Sequence, residues 1–302
     1  MNDSRLYAIP VLGRYGLTHG LLAWARCRLW CEQNDATMVA PFWLKLRVGP
    51  YLRRERDKRN YFLLFGAGHA VTGLRRLAIL ARATPIDVES AWPTHPTTDT
   101  GSIVLRFHNA LKDNEKKSFA QIVGHAPFLR RELLAMTRRR FHPRTPDVPF
   151  IAIHVRMGDF TPLGTDGRIA SASNARLPID WYGDRLDALR GKLGQMVPAI
   201  IFSDGSDADL APLLARESIQ RAARQQSVTD LLQMGLGVAL IASGSGFSLW
   251  GAFLGSAPRI AHPEQLIVPI DSDPTRDIES AFGDALPTSF ITHVHARLGI
   301  PA

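Results

Sequence analysis

A histidine, an arginine, a glycine and an aspartate directly follow a short apolar run in residues 150–160, FIAIHVRMGDF. An apolar run that ends in ionisable residues predicts a buried strand whose carboxyl end opens into a binding crevice. His154 and Arg156 alternate along it, so both should point to the same face. The guanidinium of Arg156 can hold a phosphate through two hydrogen bonds, and Gly158 would let backbone approach a ligand closely. The segment predicts a site for a phosphorylated ligand, although an ion pair between Arg156 and Asp159 would explain the same residues.

Two further apolar runs in the second half of the chain end in the same manner. Residues 199–209, AIIFSDGSDAD, break into serine, Asp204 and glycine, and residues 238–254, VALIASGSGFSLWGAFL, pass through four small residues before an aromatic segment. Small residues between a strand and a helix leave backbone N–H groups free at the helix N-terminus, which favours an anion such as a pyrophosphate. One such turn is common in α/β proteins. Three strand ends of this kind, in order within one half of the chain, favour a site for a phosphorylated ligand.

Taken together, these segments resemble the α-1,2-fucosyltransferases and, more distantly, the α-1,6- and protein O-fucosyltransferases, which use GDP-fucose. IHVRMGD is similar to the family's H-x-R-x-x-D-type motif, IFSDGSD to its F-S-D element, and ASGSGFSLWGAFL to its N-S-x-F-S-W-W-G-A-type segment. Residues 13–16, GRYG, with the helical-looking LLAWARCRLW, resemble the family's glycine-rich N-terminal loop and helix. About residues 48–148 have no counterpart in this resemblance.

The resemblance implies roles for the residues that match its motifs. Arg156 matches the arginine that holds the β-phosphate of the GDP donor and stabilises the departing diphosphate. His154 matches a histidine near the nucleotide, and Asp204 falls where related enzymes use an acidic residue close to the guanine. The remaining donor-binding residues that the resemblance implies are Ser245, Phe247 and Ser248 in the third motif, with Arg14 and Gly16 in the N-terminal loop.

The chain departs from the family pattern in two motifs. Leu17 and Thr18 stand where the family loop continues with Asn-Gln, while Gly244 and Leu249 replace a serine-type residue and a tryptophan of the third motif. These positions affect the identity of the sugar more than the class of the donor. Two alternatives therefore stay open. One is a glycosyltransferase for another GDP-deoxyhexose, and the other is a catalytically degenerate nucleotide-sugar-binding protein.

The reaction implied by the resemblance is an inverting transfer of fucose from GDP-fucose to a glycan hydroxyl. Arg156 and backbone N–H groups near Ser245 would stabilise the charge that accumulates on the diphosphate. Asp159 is the candidate general base, because a carboxylate close to the phosphate site could reach the acceptor hydroxyl; orienting Arg156 is its alternative role. No metal-ligand spacing occurs in the sequence, so we expect no metal and no cofactor besides the donor substrate.

The predicted architecture is α/β, with two Rossmann-like domains facing each other across a cleft, as the resemblance implies for a GT-B fold. A chain of 302 residues exceeds the size at which one core stops growing, and 45% of its residues are hydrophobic. Three prolines within residues 142–149, HPRTPDVP, mark the boundary. Residues 1–145 would form the acceptor side, and residues 146–302 the GDP-sugar domain.

Hydrophobic periodicity and turn residues predict the individual elements. The predicted strands are 4–12, 37–39, 102–107, 150–155, 199–202, 238–242 and 267–270, and the predicted helices are 21–34, 209–216, 227–236 and 246–254, with a loop at 13–20 and helical regions in 115–140 and 274–298. Cys27 and Cys31 lie four apart on a predicted helix, where two reduced structural thiols are favoured over a disulfide.

The charge pattern is compatible with several partners. The net charge is +8, with basic runs at residues 51–60 and 137–144 that are typical of solvated faces. Alternatively, they would attract an anionic leaflet and a lipid-linked glycan acceptor, at about 1 kcal/mol per nearby basic residue. No nucleic-acid motif accompanies them, so nucleic acid is not expected. Without an apolar span of about 18–20 residues or a signal pattern, we expect a cytoplasmic protein, able to associate peripherally with the inner face of the membrane.

Overall fold

A computed structural model describes most of the chain, and it divides into two units, Met1–His142 and Pro143–Ala302. The structure describes residues 6–13, 16–43, 61–88, 92–93, 101–108, 115–158, 160, 175–263, 265 and 268–300. Within these ranges, no helix combines the length and the apolar character that a membrane span requires.

The first unit is built on a four-stranded parallel sheet with the strand order β2-β1-β4-β3. Its elements are β1 (Leu6–Val11), α1 (Leu17–Gln33), β2 (Thr37–Met38), α2 (Gly73–Arg82), β3 (Thr84–Val88), β4 (Ile103–His108), α3 (Glu115–Ala120) and α4 (Ala126–Met136). α1 packs against β1, β2 and β4 and is apolar on most of its circumference, because it is covered from several sides. Cys27 and Cys31 are free and buried on α1, as the spacing favoured.

The first unit differs from the sequence predictions at the start of α1, and it contains α2 and β3, which the sequence patterns did not predict. α1 begins at Leu17, so the second half of the predicted loop at 13–20 is helical. Gly16 has an extended backbone at the N-cap and Leu17 is buried, which moves the helix start one turn earlier. β3 was not predicted, because four of its five residues are exposed and it contains Pro85, so it lacks the apolar alternation of a half-buried strand.

The second unit contains a six-stranded parallel sheet with helices on both faces. Its strands are β5 (Ile151–Val155), β6 (Ala199–Ser203), β7 (Ile219–Arg221), β8 (Ala239–Ala242), β9 (Arg259–Ala261) and β10 (Asp277–Glu279). Its helices are α5 (Ile179–Leu193), α6 (Asp207–Leu214), α7 (Ser227–Met234), α8 (Gly246–Gly255) and α9 (Thr288–Leu298). Two parallel-sheet units confirm the predicted α/β class.

The strand order of the second sheet, β10-β9-β8-β5-β6-β7, reverses direction between β5 and β8. Counted within the unit, this order is 6-5-4-1-2-3, which is the order of the Rossmann fold. In such sheets, ligands bind outside the carboxyl ends of the strands, at the point of reversal. A ligand site is therefore expected at the residues that follow β5 and β8.

Alternation along β5 separates the structural core from this candidate site. Ile151, Ile153 and Val155 belong to a buried cluster with side chains of β6, β8, α5, α6 and α9. Because successive side chains of a strand point to opposite faces, His154 falls on the other face, which α7 and α8 cover. The same helices approach so closely that a Cβ on Gly255 would lie 2.1 Å from the carbonyl oxygen of Gly235.

The predicted strand at 267–270 is wrong for residues 268–270, which the structure describes as irregular. Backbone groups of this segment form hydrogen bonds instead with a buried ion pair between Arg259 of β9 and Asp277 of β10. Arg259 donates from Nη2 to the Val268 carbonyl at 2.8 Å, and Asp277 accepts from the Ile270 N–H at 3.0 Å. The sheet is completed by β9 and β10, which are three residues long and too short for a periodicity signal.

Candidate functional site

Three serine hydroxyls surround one nitrogen of a buried histidine at the point where the strand order reverses. The Nδ1 atom of His154, on β5, lies 2.9 Å from the Oγ of Ser243, 2.5 Å from that of Ser248 and 3.3 Å from that of Ser245. The hydroxyl oxygens lie 3.0–3.2 Å from one another. Since this network joins β5 to the turn between β8 and α8, it fixes the shape of that turn.

Burial keeps His154 uncharged. Desolvation, reinforced by the positive charge of Arg156, lowers the pKa of His154 to about 3, and the side chain is only 4% exposed. The imidazole is therefore neutral over the physiological range and cannot act as a proton donor in its charged form. Its contribution is to orient the serines rather than to supply charge.

Arg156 and Asp204 meet at the carboxyl ends of β5 and β6. The Nη1 atom of Arg156 lies 2.7 Å from Oδ2 of Asp204, with the two side chains 30% and 20% exposed. Asp204 also accepts the backbone N–H groups of Met157 at 2.9 Å and Gly158 at 3.1 Å. One carboxylate thus holds both the arginine and the turn that follows it.

Gly158 is required by this arrangement. A Cβ at this position would lie 2.5 Å from Oδ2 of Asp204, closer than van der Waals contact allows. The sequence suggested close approach to a ligand, whereas the structure shows close approach to the carboxylate of Asp204.

The turn between β8 and α8 presents a capped helix N-terminus. Ser245 is the N-cap, and its Oγ accepts the backbone N–H of Ser248 at 3.2 Å. The N–H groups of the first helical residues, Gly246 and Phe247, have no intrahelical partner by the geometry of an α-helix. The Phe247 ring lies 5.4 Å from the His154 ring, centroid to centroid. The helix end favours an anion, beside an apolar ring.

Sequence reasoning missed three residues that support the site. Ser243 completes the serine cluster. Arg176 donates from Nε to the Met157 carbonyl at 2.7 Å, and Arg221 of β7 donates from Nη2 to the carbonyls of Ser203 and Gly205 at 3.2 and 2.5 Å. Ser243 could have been found from its place in the small-residue turn. The two arginines lie outside any motif, and only the fold brings them to the loops after β5 and β6.

The predicted site residues fall into three groups. The second unit brings together His154, Arg156, Asp204, Ser245, Phe247 and Ser248 at one edge of its sheet. Gly16 lies in the first unit as the N-cap of α1, and Gly13 has a φ of 55°. Arg14 and Asp159 lie outside the described residues.

The first unit carries a histidine–carboxylate pair that the sequence did not reveal. His108, at the end of β4, lies with Nε2 2.6 Å from Oδ1 of Asp87 on the neighbouring β3. This hydrogen bond lowers the pKa of Asp87, so the carboxylate is ionised and orients the imidazole. The pairing register of β3 and β4 decides this contact, since the residues are 21 apart in sequence.

Among the described residues, no group of three or more His, Cys, Asp or Glu side chains could hold a metal ion.

No protein-family model matches the chain, and no curated protein matches it. Among solved structures, the fucosyltransferase NodZ from Bradyrhizobium is similar, with 11% identity over 85% of this chain and 94% of that chain and a TM-score of 0.47. A mutant of Arabidopsis thaliana FUT1 in complex with GDP shares 12% identity over 86% of this chain and 71% of that chain, with a TM-score of 0.44. POFUT1 in complex with GDP shares 12% identity over 94% and 99%, with a TM-score of 0.43. These likenesses concern the arrangement of elements and give no residue its role.

Proposed function

We propose that the chain is an inverting glycosyltransferase that transfers fucose from GDP-fucose to a glycan hydroxyl and binds the donor at the carboxyl edge of the second sheet. The observation that carries the proposal is the reversal of strand order between β5 and β8, which places Arg156 and the N-terminus of α8 at the same edge. A guanidinium and a helix N-terminus are two kinds of group that hold a diphosphate. The motif resemblance supports guanine as the base and fucose as the sugar.

The proposed reaction separates charge at the diphosphate. The acceptor oxygen attacks the anomeric carbon, the bond from that carbon to the β-phosphate oxygen breaks, and GDP leaves with the electron pair. Arg156 stabilises the resulting negative charge. Asp204 holds Nη1 of Arg156 in place beforehand, so that little reorganisation is needed as the charge develops. The acceptor's proton passes to a base, for which Asp159 remains the candidate.

His154 is a positioning residue in this proposal. It is neutral and buried, and it fixes Ser245 and Ser248, which shape the first turn of α8. The pyrophosphate would bind to the backbone N–H groups of that turn, beginning with Gly246 and Phe247. Phosphate binding then depends on main-chain geometry, which the serine network maintains.

A thermal-shift titration with GDP, UDP, CMP and ADP tests the donor class without knowledge of the acceptor. Selective stabilisation by GDP that grows as RT ln(1 + [L]/Kd), about 2.7 kcal/mol at 100 times Kd, is the expected result. Preference for another nucleotide would change the donor assignment, and no response to any of them would refute the proposal. GDP binding without transfer or slow donor hydrolysis would favour the degenerate binding protein instead.

Arg156→Ala tests the catalytic role. Removal of a preorganised donor of this kind costs about 10²–10³ in turnover, so we expect a loss of that size in a variant that still folds. Arg216→Ala is the matched control, because Arg216 also pairs with an aspartate and is 34% exposed, but it follows the C-terminus of α6, away from the carboxyl edge. Turnover that falls equally in both variants, or in neither, would contradict the assignment.

The acceptor and the location of the protein stay predictions. A lipid-linked glycan acceptor and peripheral binding to an anionic membrane are supported by the basic runs alone, and residues 51–60 lie outside the described residues. Co-sedimentation with vesicles that contain anionic lipid, compared with neutral vesicles at two salt concentrations, tests the association.

A further inference from the structure

Gln265 has a buried side-chain amide, next to the proposed donor site, whose oxygen accepts no hydrogen bond from the described residues. It lies in the loop that follows β9, the neighbour of β8, and is 5% exposed. Its Oε1 atom has no hydrogen-bond partner among the described residues. An unpaired buried acceptor lowers stability, so its presence calls for a compensating role.

The side chain of Gln265 fills the space beside Gly244. A Cβ on Gly244 would lie 1.9 Å from Oε1 and 2.8 Å from Cδ of Gln265. Gly244 directly precedes Ser245, the N-cap of α8, so the amide lies against the turn that presents the helix N-terminus. The buried ion pair of Arg259 with Asp277 anchors the same loop further along, through the carbonyl of Val268.

The chemistry of Oε1 indicates which part of a ligand it would meet. An amide oxygen accepts hydrogen bonds and cannot donate them. A diphosphate bound at the helix N-terminus offers only acceptors, so it cannot satisfy Oε1. The nearest donors on a nucleotide sugar are hydroxyls of the two rings bonded to the diphosphate, namely the ribose and the transferred sugar.

We propose that Gln265 accepts a hydrogen bond from a sugar hydroxyl adjacent to the diphosphate and thereby selects the donor substrate. This inference rests on the proposed function and adds to it a specificity residue outside the motifs. Gly244 is necessary for this placement of Gln265, because only a residue without a side chain leaves room for the amide at the helix N-terminus.

The test is Gln265→Met, which keeps the length of the side chain and removes the amide. Without the unpaired acceptor, the ligand-free protein should melt at the same or a higher temperature, while affinity for the full donor falls about ten-fold, as for one lost hydrogen bond. Lower stability together with unchanged affinity would show a purely structural role and overturn the proposal.

Two pairs of ligands distinguish the source of the hydroxyl. If the ribose supplies it, the wild type binds GDP about ten-fold more tightly than 2′,3′-dideoxy-GDP, and Gln265→Met loses that difference. If the transferred sugar supplies it, Gln265→Met binds GDP normally and loses affinity for GDP-fucose alone. If Gln265→Met distinguishes GDP from 2′,3′-dideoxy-GDP, and GDP-fucose from GDP, as the wild type does, the inference is refuted while the proposed function stays intact. A wild type that binds no nucleotide overturns both.

A double-mutant cycle provides an independent check. Gly244→Ala should weaken donor binding in the wild type, because the new methyl group displaces the amide. In a Gln265→Ala background, the same substitution should cost much less, since only the Cβ of residue 265, at 3.2 Å, remains beside the new methyl group. Additive effects of the two substitutions would contradict the proposed contact.

Discussion

Acidification should destabilise the second unit through His154, and the size of the effect follows from its burial. The pKa of His154 is lowered from 6.5 to about 3 in the folded protein, first by desolvation and then by Arg156. Between these values the unfolded chain binds a proton that the folded protein does not, so stability falls as the pH falls below about 6.5. The slope is about 1.4 kcal/mol per pH unit, which amounts to about 2 kcal/mol between pH 7 and pH 5.

The measurement compares the wild type with His154→Gln in urea at pH 7 and pH 5, followed by far-UV circular dichroism. Because the other titratable groups are common to both proteins, the stability difference between them isolates His154. The wild type should lose about 2 kcal/mol relative to the variant on acidification. If the two units unfold separately, the relevant transition is the one that the substitution shifts. A difference that is the same at both pH values would show that His154 is not held neutral.

Two further predictions concern the turn after β5 and the loop that carries Gln265. Gly158→Ala should weaken nucleotide binding in the thermal-shift assay, because the added Cβ would lie 2.5 Å from the carboxylate of Asp204. Gly191→Ala in α5 is its control; it meets no atom within 4 Å and should raise stability by about 0.5–1 kcal/mol, so a similar response of both variants would contradict the steric argument. Arg259→Met should lower the free energy of unfolding by about 3–5 kcal/mol, measured in urea, because it leaves the buried carboxylate of β10 unpaired. A loss below about 1 kcal/mol, typical of a surface ion pair, would refute that reading.

Much of the second unit could be predicted from local pattern. β5, β6 and β8 are apolar runs bounded by small and polar residues, and α7 and α8 match their predicted ranges to within about two residues. The short strands β7, β9 and β10 could not be predicted, because three residues give no periodicity and their positions depend on pairing with the strands already in the sheet.

The residue types of the candidate site could also be predicted from the sequence, whereas their contacts could not. The residue types at the ends of β5 and β8 indicated an anion site, since an arginine, a histidine and a serine-rich turn are informative without knowledge of their contacts. The contacts themselves could not be predicted from those residue types. Asp204, expected near a guanine, accepts from two backbone N–H groups and pairs with Arg156. His154 is a neutral centre of the serine cluster.

The sequence by itself determined the chemistry available to this protein: strands that end in ionisable residues, a small-residue turn before a helix, and two α/β halves. These are local properties, because an apolar period and a glycine act over a few residues. Only the tertiary structure decided which strand ends are neighbours and that Gln265 lies against Gly244, 21 residues away. Those contacts depend on strand order and packing, which combine residues from distant parts of the chain and leave no local pattern.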